Sequence, residues 1–201
     1  MKPALFALLA LPLAFLGVDI AAELVEPGSR LGADPGQAVV TYLGEWSLWM
    51  LLAVLAVSTG RRTLGQPKLM RYRRMVGLFA FAYLCLHLMA YIGFLAVFDW
   101  RQIVEDVTDR PYISVGFLAL LLLVPLAITS TSAWRARLGR RWVSLHRAVY
   151  PATALGILHH FWLTKDGYGE SVLYLSLFVL LMLERLMRGW LSGRRSLQPD
   201  T

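Results

Sequence analysis

Long apolar runs, broken only by short charged loops, decide what this chain is able to fold into. Residues 4–22, 42–59, 75–98, 112–129, 142–163 and 171–186 hold few charges or none. A helix crossing the hydrocarbon layer of a bilayer needs ~20 mainly apolar residues, and each run is close to that length. The sequence therefore predicts an all-α membrane protein, a bundle of six transmembrane helices forming one domain over residues 1–201. Composition agrees: charged residues are 16% of the chain, against roughly 25% in an ordinary soluble domain. The first run follows Lys2 and contains Pro12. It resembles a secretory leader, but no small-residue cleavage site follows it, so it is expected to stay as a helix.

The loops give the orientation. Fifteen basic residues fall at the N-terminus, in the loop from Arg61 to Arg74, in the loop from Arg135 to Arg141, and in the tail from Arg185. Only Arg30, Arg101, Arg110 and Lys165 lie in the opposite loops, which also collect most of the carboxylates. Basic loops stay on the cytoplasmic side, so both termini are expected in the cytoplasm. The net charge of +7 has this topological origin; no solvated basic face points to nucleic acid. Cys85 is the single cysteine and lies inside a span, which excludes an internal disulfide and a thiolate metal cluster within the chain. No internal repeat and no low-complexity tract is evident.

Ionisable groups inside spans are costly and mark function. All four histidines of the chain are there: His87 in the third span, and His146, His159 and His160 in the fifth. Three readings compete. Each imidazole makes an interhelical hydrogen bond worth ~0.6 kcal/mol; or the histidines relay protons, with Asp19, Glu45 and Glu184 as the available carboxylates; or histidines on facing helices ligate haem iron, as helix bundles do in their cores. The third is favoured. On a straight helix at 1.5 Å per residue, His146 lies ~7 Å, His87 ~20 Å and His159 ~27 Å above the cytoplasmic arginines. His87 is thus paired with His159 or His160 at an outer site, and His146 is left at an inner one without a histidine partner. At about 100° per residue, thirteen steps leave His159 about 140° from the face of His146, whereas His160 comes within about 40°. Pro151 lies between them, and either of the two remains open as the ligand.

Three strings carry a family resemblance: RRMVGLFAFAYLCLHLMAY from Arg73, ITSTSAWRARLGRRWVSLHRAVYP from Ile128, and HHFWLTK from His159. Together with TDRPYISVG from Thr108 they resemble the MsrQ family, haem-binding membrane subunits of protein-methionine-sulfoxide reductase systems within the ferric-reductase-like transmembrane superfamily. The resemblance extends from about Leu31 to Arg188. It implies haem b and bound FMN, for which no residues are assigned. It also implies an electron-transfer subunit without catalytic residues of its own. Electrons would come from quinol in the respiratory chain or from a cytoplasmic flavin reductase, and pass to an MsrP-like periplasmic molybdoenzyme that repairs methionine sulfoxide in proteins. The family's histidines fall on His87, His146 and His159, with His87 and His159 as iron ligands and His160 as the alternative to His159. Two other functions are kept beside this one. The first is a membrane ferric reductase or quinol-linked cytochrome b; the second is a proton or metal transporter.

Overall fold

The computed structural model describes residues 2–164 and 167–195. Lys165, counted above with the outer loops, and the tail beyond Arg195 lie outside the described residues. Nine α-helices follow in chain order: α1 (Lys2–Val25), α2 (Pro35–Thr63), α3 (Met70–Ala90), α4 (Trp100–Asp109), α5 (Pro111–Ile128), α6 (Ser132–Leu138), α7 (Arg140–Leu145), α8 (Val149–Leu163) and α9 (Gly169–Arg195). A 3₁₀ turn (Pro67–Leu69) leads into α3, and a π turn (Tyr91–Leu95) prolongs it. No strand occurs among the described residues.

Local chemistry sets the boundaries. Asp34 caps α2 by accepting from the Gln37 N–H at 2.9 Å, and Pro35 opens the helix where a missing N–H is harmless. Asp99 caps α4 in the same way, and Thr131 caps α6. Between α1 and α2, the Glu23 carboxylate accepts backbone N–H groups from Gly28, Arg30 (3.1 Å) and Leu31 (3.0 Å), closing the loop against the helix end.

Among the described residues, four helical stretches are long and apolar enough to cross a membrane: Lys2–Val25, Pro35–Thr63, Pro67–Leu95 and Pro111–Ile128. The expected fifth run, 142–163, is not one helix. It breaks into α7, a 3₁₀ turn (His146–Ala148) and α8. Pro151 sits in the first turn of α8, where the N–H it lacks has no helical partner to lose. It therefore marks a helix start rather than a bend in a continuous rod. With 15 residues, α8 is ~22 Å long, while α9 has 27 residues and reaches ~40 Å.

The central helix is α2, whose Leu43, Leu48, Leu51 and Leu55 are buried. It packs along α3 on one side and against α9 on another, while α5 lies along α8. Ser47 of α2 donates to the Ala80 carbonyl at 3.2 Å, which holds α2 and α3 close at that level. The more peripheral α1 is tied down by two tyrosines, Tyr83 donating to the Leu9 carbonyl (2.9 Å) and Tyr42 to that of Pro12 (3.0 Å). Large apolar side chains such as Phe6, Phe15, Leu121 and Leu180 point outward and are exposed. Such a surface suits lipid rather than water.

Each end of the bundle has its own polar lock. At the end bearing the basic loops, Glu184 of α9 pairs with Arg62 (2.7 Å) and Arg188 (2.6 Å) and accepts from Thr59 (3.1 Å). Next to it, Arg185 donates to the Leu55 carbonyl (2.9 Å) and lies over the Tyr150 ring, 4.9 Å from its centroid. At the opposite end, the buried Asp106 carboxylate accepts from the Tyr91 hydroxyl (2.5 Å) and pairs with Arg110 (3.2 Å), fastening α4 across the end of α3.

Candidate functional site

His87 of α3 and His159 of α8 meet in the interior. Their ring centroids are 6.3 Å apart and their planes are nearly perpendicular, at 87°. Each ring is held by the same device. His87 Nδ1 is 2.8 Å from the Val40 carbonyl of α2, and His159 Nδ1 is 2.6 Å from the Tyr112 carbonyl of α5. A carbonyl only accepts, so Nδ1 carries the proton in both rings and Nε2 keeps its lone pair. A carbonyl accepting from the far nitrogen is the usual way a metal-binding imidazole is oriented.

The spacing can be tested against one shared metal ion. A metal–imidazole bond is ~2 Å, and the nitrogen lies about 1 Å from the ring centre, so two rings on opposite sides of one ion have centres ~6 Å apart. The observed 6.3 Å fits. The donor set is two neutral imidazoles, which suits iron in a haem.

Two glycines make the approach possible. A Cβ on Gly44 would lie 2.9 Å from His87 Nδ1, and one on Gly116 would lie 2.7 Å from His159 Nδ1. Adding 72 to Val40, Gly44 and His87 gives Tyr112, Gly116 and His159. The pairs α2–α3 and α5–α8 thus repeat one local geometry, although the surrounding sequence does not repeat. Neither Gly44 nor Gly116 stands out in the sequence alone. The detectable signal was the recurrence of a glycine 43 positions before a histidine.

The adjacent histidine, His160, turns elsewhere. Its Nδ1 is 2.8 Å from the Ser171 hydroxyl, and its ring stands edge-on to Tyr174 at 5.2 Å. The straight-helix comparison that brought His160 toward the face of His146 loses its basis here, because His146 belongs to a 3₁₀ turn and not to α8.

His146 lies apart, stacked on Trp142 with centroids 3.8 Å apart and with Nδ1 3.1 Å from the Trp142 carbonyl. It borders a cavity of about 580 Å³ whose apolar wall includes Val54 and Leu123 and whose polar lining includes Arg73, Arg74 and Arg135. Cofactor-sized pockets are ~300–1,000 Å³. Shifting Arg74 by the same 72 positions gives His146, so the repeat places a guanidinium and an imidazole on one cavity at the end opposite the paired rings.

Comparison with known proteins places this chain in a family. The family described as ferric reductase like transmembrane component matches residues 41–157, a range that contains His87 and His146 and ends two residues before His159. A relative from Caulobacter vibrioides is 46% identical over 83% of this chain and 80% of its own length. One from Rhodospirillum rubrum is 46% identical over 92% and 86%, and one from Xanthomonas campestris pv. campestris is 43% identical over 97% and 89%. All three are named protein-methionine-sulfoxide reductase heme-binding subunit MsrQ. The chain belongs to the MsrQ family. No solved structure matches it. Among MsrQ proteins this chain offers a ring pair and a separate basic cavity as its two candidate cofactor positions.

The glycine contacts generate a direct prediction. Gly116→Ala drives a methyl group into the His159 ring and costs about 1–3 kcal/mol, lowering the unfolding midpoint of the detergent-solubilised protein by roughly 2–12 °C. Gly77→Ala meets only Val54 Cγ2 at 3.7 Å and leaves the midpoint unchanged or slightly raised. Thermal unfolding of the two variants side by side checks this.

Proposed function

We propose that this chain is a haem b membrane subunit that carries electrons across the bacterial inner membrane to an MsrP-like periplasmic molybdoenzyme. His87 and His159 would hold the iron of an outer haem. The observation that carries this reading is the pair of imidazoles 6.3 Å apart, each with Nδ1 bound to a helix carbonyl. The relatives' name, heme-binding subunit of a protein-methionine-sulfoxide reductase, supports it. Haem supplies one-electron redox chemistry. The protein's part is to offer two neutral Nε2 lone pairs, to fix the rings through Val40 and Tyr112, and to keep water out with the surrounding apolar core. Two protein ligands would leave the iron no position open to oxygen or substrate, which favours electron transfer.

The inner cavity is the place for a second cofactor, a further haem or FMN. His146 is its ligand or hydrogen-bonding group, and Arg73, Arg74 and Arg135 suit propionate or phosphate oxygens. Two redox positions at different depths give electrons a route from the cytoplasmic side, where a flavin reductase would deliver them, or from quinol in the bilayer. In this arrangement α1, α2, α3 with its π turn, α5, α8 and α9 are the six spans, both termini are cytoplasmic, and α4 with its carboxylates faces the periplasmic partner. Sulfoxide chemistry belongs to that partner.

Haem content and spectrum in four variants test the ligands. His87→Ala and His159→Ala lose the outer haem, His146→Ala disturbs only the inner component, and His160→Ala keeps the outer haem. Retention in His159→Ala together with loss in His160→Ala contradicts the assignment. Topology is checked on a Cys85→Ala background with a membrane-impermeant thiol reagent applied to spheroplasts. Ser29→Cys and Tyr168→Cys are expected to label and Gln66→Cys to stay protected; the reverse pattern inverts the orientation.

A further inference from the structure

Beside the ring pair, but turned away from it, three ligand-type side chains from three helices converge. One carboxylate oxygen each from Glu45 of α2 and Glu170 of α9, and one ring nitrogen of His160 of α8, all lie within 4.8 Å of one another. We propose that Glu45, His160 and Glu170 form a binding site for a divalent first-row transition cation, of which Zn²⁺ is the representative.

The chemistry of the set argues for a cation. Glu45 and His160 are partly buried, and two carboxylates held this close repel one another unless a proton or a cation lies between them. One imidazole and two carboxylates are a Zn²⁺-type donor set with a position left open for water. The imidazole argues against Ca²⁺ and Mg²⁺, which take oxygen ligands.

The surroundings are built to hold these groups in place. Ser171 is 1% exposed, and its hydroxyl lies 2.8 Å from His160 Nδ1, which fixes the ring and leaves Nε2 as the nitrogen free to bind. Thr164 donates to the His160 carbonyl at 2.8 Å and lies 3.4 Å from Ser171. Tyr174, 2% exposed, packs edge-on against both His160 and Trp49, each at 5.2 Å. Trp49 stands one helical turn after Glu45, so α2, α8 and α9 are all pinned at the level of the three ligands.

A bound cation would therefore clamp α2 to α8 and α9 one residue away from His159. This role is distinct from iron ligation and uses a histidine that the ring pair leaves free. The site does not depend on haem being present, so its test is separable from that of the ligand assignment.

The full-length protein, haem-loaded and freed of any histidine tag, is dialysed against ZnCl₂ with Mg²⁺ and Ca²⁺ in excess, and bound zinc is counted per chain. Wild type is expected to retain one Zn²⁺ per chain that Ca²⁺ does not displace. The double variant Glu45→Gln/Glu170→Gln is expected to lose it while its haem spectrum stays unchanged. Ser171→Ala, which removes the hydroxyl beside His160 Nδ1 and its contact with Thr164, is expected to weaken binding by roughly 10- to 100-fold. Wild type that holds no stoichiometric zinc overturns the proposal, and so does a double variant that holds as much as wild type.

Discussion

Two helix carbonyls, those of Val40 and Tyr112, fix the part of this molecule that matters most. Each already serves the backbone ladder of its own helix through the N–H four residues on, which belongs to Gly44 in one case and Gly116 in the other. A carbonyl has a second lone pair, but a Cβ at the residue four positions on would lie within 3 Å of the ring nitrogen that uses it here. Glycine there opens the path, and the imidazoles of His87 and His159 reach in to 2.8 and 2.6 Å. With the rings tied back through Nδ1, the remaining lone pairs belong to the interior. In a low-dielectric core such hydrogen bonds are strong and expensive to lose, so these contacts govern both local packing and the ligand properties of the site.

The geometry is made twice, by α2 with α3 and by α5 with α8. The shift of 72 positions carries the carbonyl, the glycine and the histidine together, and it also carries Arg74 onto His146. At the end away from the basic loops the matched positions are two imidazoles; at the other end they are a guanidinium and an imidazole on an apolar cavity. A bundle arranged in this way offers two unequal cofactor environments at two depths. In the proposed function the first would hold the iron of a haem, and the second a cofactor with anionic groups beside the arginines. The polar locks at the two ends, Glu184 with Arg62 and Arg188 and Asp106 with Tyr91 and Arg110, keep the helices in register around both.

The helical class and the apolar runs were legible because bilayer thickness imposes length and apolarity directly on the sequence. The histidines were legible because imidazole inside a span is rare enough to stand out. The pairing of His87 with the upper histidines followed from depth alone. Other features were hidden. The fifth run reads as one helix because 3₁₀ and α segments share composition, and Pro151 is equally compatible with a kink and with a helix start. The choice between His159 and His160 depended on that break. Gly44 and Gly116 were overlooked because a glycine in a membrane helix usually means close packing, and only the partner histidine gives these two their meaning. The convergence of Glu45, Glu170 and His160 depends on the packing of three helices distant in sequence, which no local pattern encodes.

The most direct test of the central claim is electron paramagnetic resonance of the oxidised, haem-loaded protein. Two axial imidazoles with planes close to perpendicular, as the 87° between these rings requires, give a strongly anisotropic low-spin ferric signal. The account predicts that signal in the wild-type protein and its loss when either His87 or His159 is replaced. A wild-type spectrum with only high-spin iron, or a low-spin signal that survives both replacements, would contradict it.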